Sequence, residues 1–229
     1  MGLSENISRV EAGISRACHM ADRLRSEVSL VAVSKGQPFS LIREAYDLGL
    51  RDFGENVAQE LRDKATMAAS EGLSDIRWHF IGRLQTNKVK YVVRFAEYLH
   101  SLDRVELLAA FDKRLLTREL KCFVQVNVGG EKQKGGLCPE YLAEFMLAAR
   151  GYSKLRICGL MAIPPNGGPS AEYFQELAKL RDSLQARSVN GELEFLSMGM
   201  SGDFEVAIRC GATHVRVGSS LFGSRPGYK

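Results

Sequence analysis

A chain of 229 residues, 45% hydrophobic and 25% charged, can bury a large core and lacks the bias of a disordered or fibrous protein. Its formal charge of +4 suits an anionic small ligand, and with no basic stretch interleaved with aromatics it argues against nucleic acid. Five scattered cysteines without a CxxC pair, and four histidines without HxxxH or HxH spacing, argue against a disulfide framework and a structural metal. They suggest a reducing compartment. The N-terminus is charged and helical, without the apolar core of a signal peptide, and Asn6 spoils the myristoylation pattern that Gly2 opens. No run approaches a membrane span, so a cytoplasmic protein is expected.

Ile7, Val10, Ile14, Ala17 and Leu24 recur at helical spacing and predict an amphipathic helix, an outer cover ahead of the first strand. Leu30 to Val33 is a short β-branched run of the kind buried on both faces of a parallel sheet. Lys35 follows it after Ser34, before Gly36 and Pro38 and a helix over 39–50. A second strand ends at Glu55-Asn56, with a helix over 57–69. The third, over 76–82, leads to a helix that Thr86 or Asn87 could cap. The fourth, over 98–102, is followed by a helix with Asp103 as its cap, running to about Glu119. A fifth strand covers 121–128.

The glycine-rich basic segment 129–136 then reads as a mobile flap or a solvated loop. A helix over 139–149, a sixth strand over 155–163, a break at 164–169 and a helix over 171–187 come next. A seventh strand over 193–198, a short helix over 204–210 and an eighth strand over 213–217 complete the alternation. With no composition break for a linker, the pattern is that of one (β/α)8 TIM barrel spanning 1–229, with an extra N-terminal helix. A doubly wound sheet is the competing architecture, but neither GxGxxG nor GxxxxGK[ST] is present to serve a dinucleotide or nucleotide triphosphate.

Three places carry chemistry. A lysine at the carboxyl end of a barrel strand is placed to meet a ligand, and partial desolvation would favour Schiff-base formation; a solvated loop lysine is the plain alternative. Ser197 to Asp203 offers small residues, free amides and the Ser201 hydroxyl at a helix start, and Gly218-Ser219-Ser220 supplies a second such turn. Barrels often bind phosphate between the loops after strands seven and eight, so the pair is worth more than either turn, although helix capping would explain one alone. Arg216 alternates with Val215 and Val217 and therefore faces away from their layer. Opposite a heterocyclic nitrogen its guanidinium would keep that nitrogen unprotonated, while a structural ion pair is the other reading. An amine for an aldehyde, an anion cradle and a partner for a pyridine nitrogen are what pyridoxal 5'-phosphate demands.

The segments AVSKGQP, FGENVAQE, WHFIGRLQTNK, VNVGGEKQKGG, GLMAI and SMGMSGDFEVAIRCGATHVRVGSSLFG, in that order over nearly the whole chain, resemble the pyridoxal phosphate homeostasis proteins, the YggS-like or PROSC family. The resemblance implies a barrel like the N-terminal domain of alanine racemase, with Lys35 as the Schiff-base lysine and Arg216 facing the pyridine nitrogen. It implies a phosphate site of Ser201 and the Gly218-Ser219 turn, helped by Met200. It places Asn56 and His79 at strand ends where the family lines its pocket, although His79 reads more readily as a satisfied barrel side chain than as a catalytic base and is not counted as catalytic. Lys134 matches a family lysine associated with ligand exchange. Gln133 replaces the usual serine, and Gly36-Gln37 the commoner Thr-Lys.

In the resembling racemases the second base is a tyrosine from a C-terminal β domain, and this chain ends soon after strand eight. The expectation is therefore a non-catalytic, monomeric carrier that binds pyridoxal phosphate and supplies it to apo-enzymes. A racemase-like amino-acid enzyme is the alternative, and a phosphate-sugar barrel enzyme using Lys35 as an aldolase-type base is a third.

Overall fold

The computed structural model describes residues 2–115, 118–131, 135–165, 167–186 and 193–223. Eight parallel strands close into a barrel in chain order: β1 (Ser29–Val33), β2 (Asp52–Glu55), β3 (Arg77–Phe80), β4 (Tyr98–Leu102), β5 (Leu120–Gln125), β6 (Leu155–Met161), β7 (Phe195–Ser197) and β8 (His214–Val217). Ring closure is the β8 to β1 pairing, in register from Ser29 opposite His214 to Ala32 opposite Val217. The helices are α1 (Leu3–Met20), α2 (Phe39–Asp47), α3 (Ala58–Ser70), α4 (Val89–Phe95), α5 (Val105–Asp112), α6 (Leu142–Ala149), α7 (Ser170–Ala186), α8 (Phe204–Arg209) and α9 (Ser219–Phe222).

Period-two alternation divides each strand between two environments. Leu30, Ala32, Phe53, Trp78, Phe80, Leu99, Cys122, Leu196, Val215 and Val217 join the helices in one continuous hydrophobic cluster. The intervening residues fill the barrel and are unusually polar and aromatic: Asp52, His79, His100, Ser197, His214 and Arg216 lie among Tyr98, Phe123 and Phe195. Phe123, Cys158 and Met161 form a small apolar cluster of their own within this interior.

The N-terminal helix is the outer cover expected. It packs on α8 and α9, and the Asn6 side chain donates to the Leu221 carbonyl at 2.8 Å, tying the first element to the last. Leu24, however, lies beyond the helix and is exposed.

Two expected caps are absent. Residues 86–88 form a single 3₁₀ turn ahead of α4, and neither Thr86 nor Asn87 makes a capping hydrogen bond. Asp103 pairs with the neighbouring Arg104 at 2.6 Å, and α5 stops at Asp112, well before Glu119. The turn after β8 also holds an unexpected helix, α9.

Candidate functional site

The barrel has a cavity of about 650 Å³ at the carboxyl ends of its strands, lined by all seven of the expected positions: Lys35, Asn56, Met200, Ser201, Arg216, Gly218 and Ser219. Val33, Ile81, Arg83 and Gln125 are among the other residues that line it.

Lys35 is half-buried, and the chain on both sides of it is clamped from below. The Lys64 ammonium, itself buried on α3, donates to the Ser34 carbonyl at 2.7 Å, to Glu55 Oε1 at 2.8 Å and to Glu60 Oε1 at 2.6 Å. The Ser34 hydroxyl donates to Glu55 at 2.6 Å, and the Gly36 amide donates to Glu60 at 2.6 Å. Gly36 has a φ of 70°, a left-handed conformation that suits glycine and lets the chain turn directly after the lysine.

Burial raises the Glu55 pKa to about 7 despite the opposing charge of Lys64 and the hydrogen bonds from Lys64 and Ser34. Its Oε2 is buried without a hydrogen-bond partner. Between pH 4.5 and about 7 the folded protein retains a proton that the unfolded chain has released. The stabilising contribution is thus complete below 4.5 and fades as the pH rises through 7. Glu55→Gln is expected to remove about 1–3 kcal/mol of this pH dependence, read from urea unfolding at pH 5 and pH 8.

The two turns after β7 and β8 meet. Ser201 Oγ accepts hydrogen bonds from the amides of Gly218 and Ser220, both at 3.3 Å, so backbone donors from one turn converge on a hydroxyl from the other. Gly199 has a φ of 91°, and a Cβ there would lie 2.5 Å from that of Ala207, so the turn requires glycine. At Gly218 a Cβ would come within 3.2 Å of the Val33 carbonyl, which keeps this turn against the end of β1. Asp203 does not cap α8 with its side chain; it accepts the Met200 amide at 2.7 Å and shapes the loop instead.

Arg216 points into the barrel and is 4% exposed. It donates to Ser197 Oγ at 2.6 Å and to the Ala162 carbonyl at 3.0 Å. Burial lowers its pKa to about 10, leaving it a cation in the neutral range. Among the described residues no carboxylate is ion-paired with it.

His79 is not at the pocket. It is fully buried below it, hydrogen-bonded to His100 and Asp52 at 2.9 Å each and stacked on Tyr98 with ring centroids 4.5 Å apart. It is a satisfied barrel side chain, because its position in mid-strand aims it into the ring.

Lys134 and Gln133 lie outside the described residues. The described ends of that loop are anchored: the Gln125 amide donates to the Gly135 carbonyl and the Asn127 amide to the Glu131 carbonyl, both at 3.0 Å. Among the described residues no cluster of His, Cys, Asp and Glu could hold a metal ion, and no helix is long and apolar enough to cross a membrane.

Sequence reasoning missed the Glu55, Glu60 and Lys64 clamp and the interior set of Asp52, His100 and Ser197. One signal was present: Glu60 and Lys64 stand four apart on a helix, a spacing that joins side chains.

Residues 11–226 match the family model of the alanine racemase N-terminal domain. A pyridoxal phosphate homeostasis protein of Aquifex aeolicus is 45% identical over 98% of this chain and 99% of its own length, and one of Pseudomonas aeruginosa is 41% identical over 97% and 96%. PipY of Synechococcus elongatus with PLP bound superposes with a TM-score of 0.83 at 32% identity, covering 97% of this chain and 100% of its own. Alanine racemase of Corynebacterium glutamicum shares the fold at a TM-score of 0.69 and 15% identity, over 96% of this chain and 63% of its own.

Proposed function

The chain belongs to the pyridoxal phosphate homeostasis protein family, and from that premise we propose that it binds pyridoxal 5'-phosphate and takes part in intracellular control of that cofactor. In this reading the cofactor is held as a Schiff base on Lys35 and passed to apo-enzymes by a monomeric, cytoplasmic carrier. The supporting observation is that one cavity collects an amine, a buried guanidinium and two converging amide-bearing turns.

The donor set fits the group. Pyridoxal phosphate, when bound, supplies an aldehyde that condenses with amines, a pyridine nitrogen and a phosphate dianion. Lys35 offers the amine from a backbone held in place by Lys64 and Glu60. Ser201 with the Gly218 and Ser220 amides, together with Ser219, offers neutral donors for the phosphate. Arg216 stands as a fixed cation that cannot accept a proton, and Asn56 and Met200 bound the remaining wall.

Holding, rather than turnover, is supported by the lining. Among its described residues Lys35 is joined by Arg83 and Arg216 and by no histidine, tyrosine, aspartate or glutamate. Racemisation calls for a base on each face of a carbanion. A closed barrel exposes no strand edge for pairing, which supports a monomer. Five free cysteines accord with a reducing compartment.

The test is to mix the purified protein with pyridoxal phosphate. A new visible band, a borohydride-fixed pyridoxyl group mapping to Lys35, and reactivation of an apo-enzyme by the loaded protein are expected. Label at another lysine, or steady racemisation or decarboxylation of amino acids, would overturn the reading.

Ser201→Asp places a carboxylate where the phosphate is to sit. Equilibrium dialysis should show affinity for pyridoxal phosphate falling by about 10- to 100-fold, with little loss for unphosphorylated pyridoxal. Equal losses for both ligands would remove Ser201 from the phosphate site.

A further inference from the structure

Below the cavity a single file of hydrogen bonds runs through the barrel. Arg216 Nη1 donates to Ser197 Oγ at 2.6 Å, and Ser197 Oγ lies 2.8 Å from His100 Nδ1. His100 Nε2 lies 2.9 Å from His79 Nδ1, and His79 Nε2 lies 2.9 Å from Asp52 Oδ1. Asp52 also accepts from Arg77 Nε at 2.7 Å near the barrel floor. Ser197 and both histidines are fully buried.

The ends fix the two outermost bonds, and hydrogen-bond satisfaction fixes the two between. An arginine can only donate, and an ionised carboxylate can only accept. Burial alone would raise the Asp52 pKa, but hydrogen bonds from His79 and Arg77, and the charge of Arg77, hold it well below the usual carboxylate range. Burial, reinforced by the charge of Arg216, holds His100 neutral. Were His79 doubly protonated it would donate to His100 Nε2, and the His100 proton would sit on Nδ1, aimed at Ser197. Ser197 Oγ would then accept from both sides and its own proton would have no acceptor in the file. With both imidazoles neutral and protonated on Nε2, every donor meets an acceptor: Arg216 to Ser197, Ser197 to His100, His100 to His79, His79 to Asp52.

We propose that Ser197, His100, His79 and Asp52 are positioning residues for Arg216, a one-way file that fixes the guanidinium at the cavity floor and answers its charge with a carboxylate four hydrogen bonds away. Polarisation along such a chain strengthens each bond, and here it serves a buried cation that, among the described residues, is ion-paired with no carboxylate and feels the Asp203 charge only through space. The proposal rests on Arg216 as the cavity's cation; the file itself is tested without any ligand.

In the ligand-free protein with nitrogen-15 histidine and arginine, NMR is expected to show His79 and His100 both protonated on Nε2 and a slowly rotating Arg216 guanidinium. Ser197→Ala should release that rotation, Ser197→Thr should restore it, and Asp52→Asn should shift the Arg216 resonances without touching it. With pyridoxal phosphate as probe, Asp52→Asn should weaken binding on the order of tenfold. Protons on Nδ1 of either histidine in the unaltered protein, or Arg216 signals indifferent to Ser197→Ala, would overturn the file. A protein that shows the tautomers and fails to bind pyridoxal phosphate would overturn the functional reading and leave the file intact.

Discussion

Alanine at position 35 is expected to give a folded protein that stays colourless with pyridoxal phosphate and takes up no pyridoxyl label on borohydride treatment. Affinity should fall by about two orders of magnitude, because the covalent contact is lost and only phosphate and ring contacts remain. The fold should survive: Lys35 is half-buried and lies in a turn outside β1, and the clamp grips the backbone of Ser34 and Gly36. A thermal melt and a reduction-and-mapping experiment check both halves. Stoichiometric label persisting in Lys35→Ala would place the reactive amine elsewhere.

The second large effect is one of architecture. Gly159 on β6 pairs with Phe195 on β7, and a Cβ at Gly159 would sit 1.9 Å from the Phe195 carbonyl oxygen and 2.6 Å from its carbon. Both atoms are backbone in a closed ring, so a shift here must be absorbed by neighbouring strands. The β5 to β6 register already slips between Cys122 and Phe123, beside Gly159, leaving little slack. Gly159→Ala is expected to destabilise by about 4 kcal/mol or more, lowering the melting temperature by roughly 10 °C. Gly72→Ala is the contrast: φ is 76° but nothing lies within 4 Å, and a loss of only about 1 kcal/mol is expected. Equal stability of the two variants would show that the barrel wall yields at β6 and β7.

The barrel itself was legible because strands buried on both faces carry apolar runs, and Leu30 to Val33 needs no partner to be recognised. Helix ends were less so. Asp103 and Thr86 are good caps by type, yet the first is drawn to Arg104, and a 3₁₀ turn at 86–88 precedes α4. The site divides in the same way. Lys35, Ser201 and the Gly218-Ser219 turn stand out through local turn chemistry and their place after strands. Asp52, His100 and Ser197 come from β2, β4 and β7, and nothing near each in the chain says that they will meet. Arg216 could be given a direction from alternation alone, but its hydrogen-bond partners could not be read from sequence.

The Ser201 hydroxyl already occupies the amides of Gly218 and Ser220. On the proposed reading, an arriving phosphate would evict a sitting tenant rather than fill bare donors, and a departing one would find that tenant ready to return. Such an exchange would trim the grip on the cargo and shorten its stay, a trade that would favour a lender over a vault.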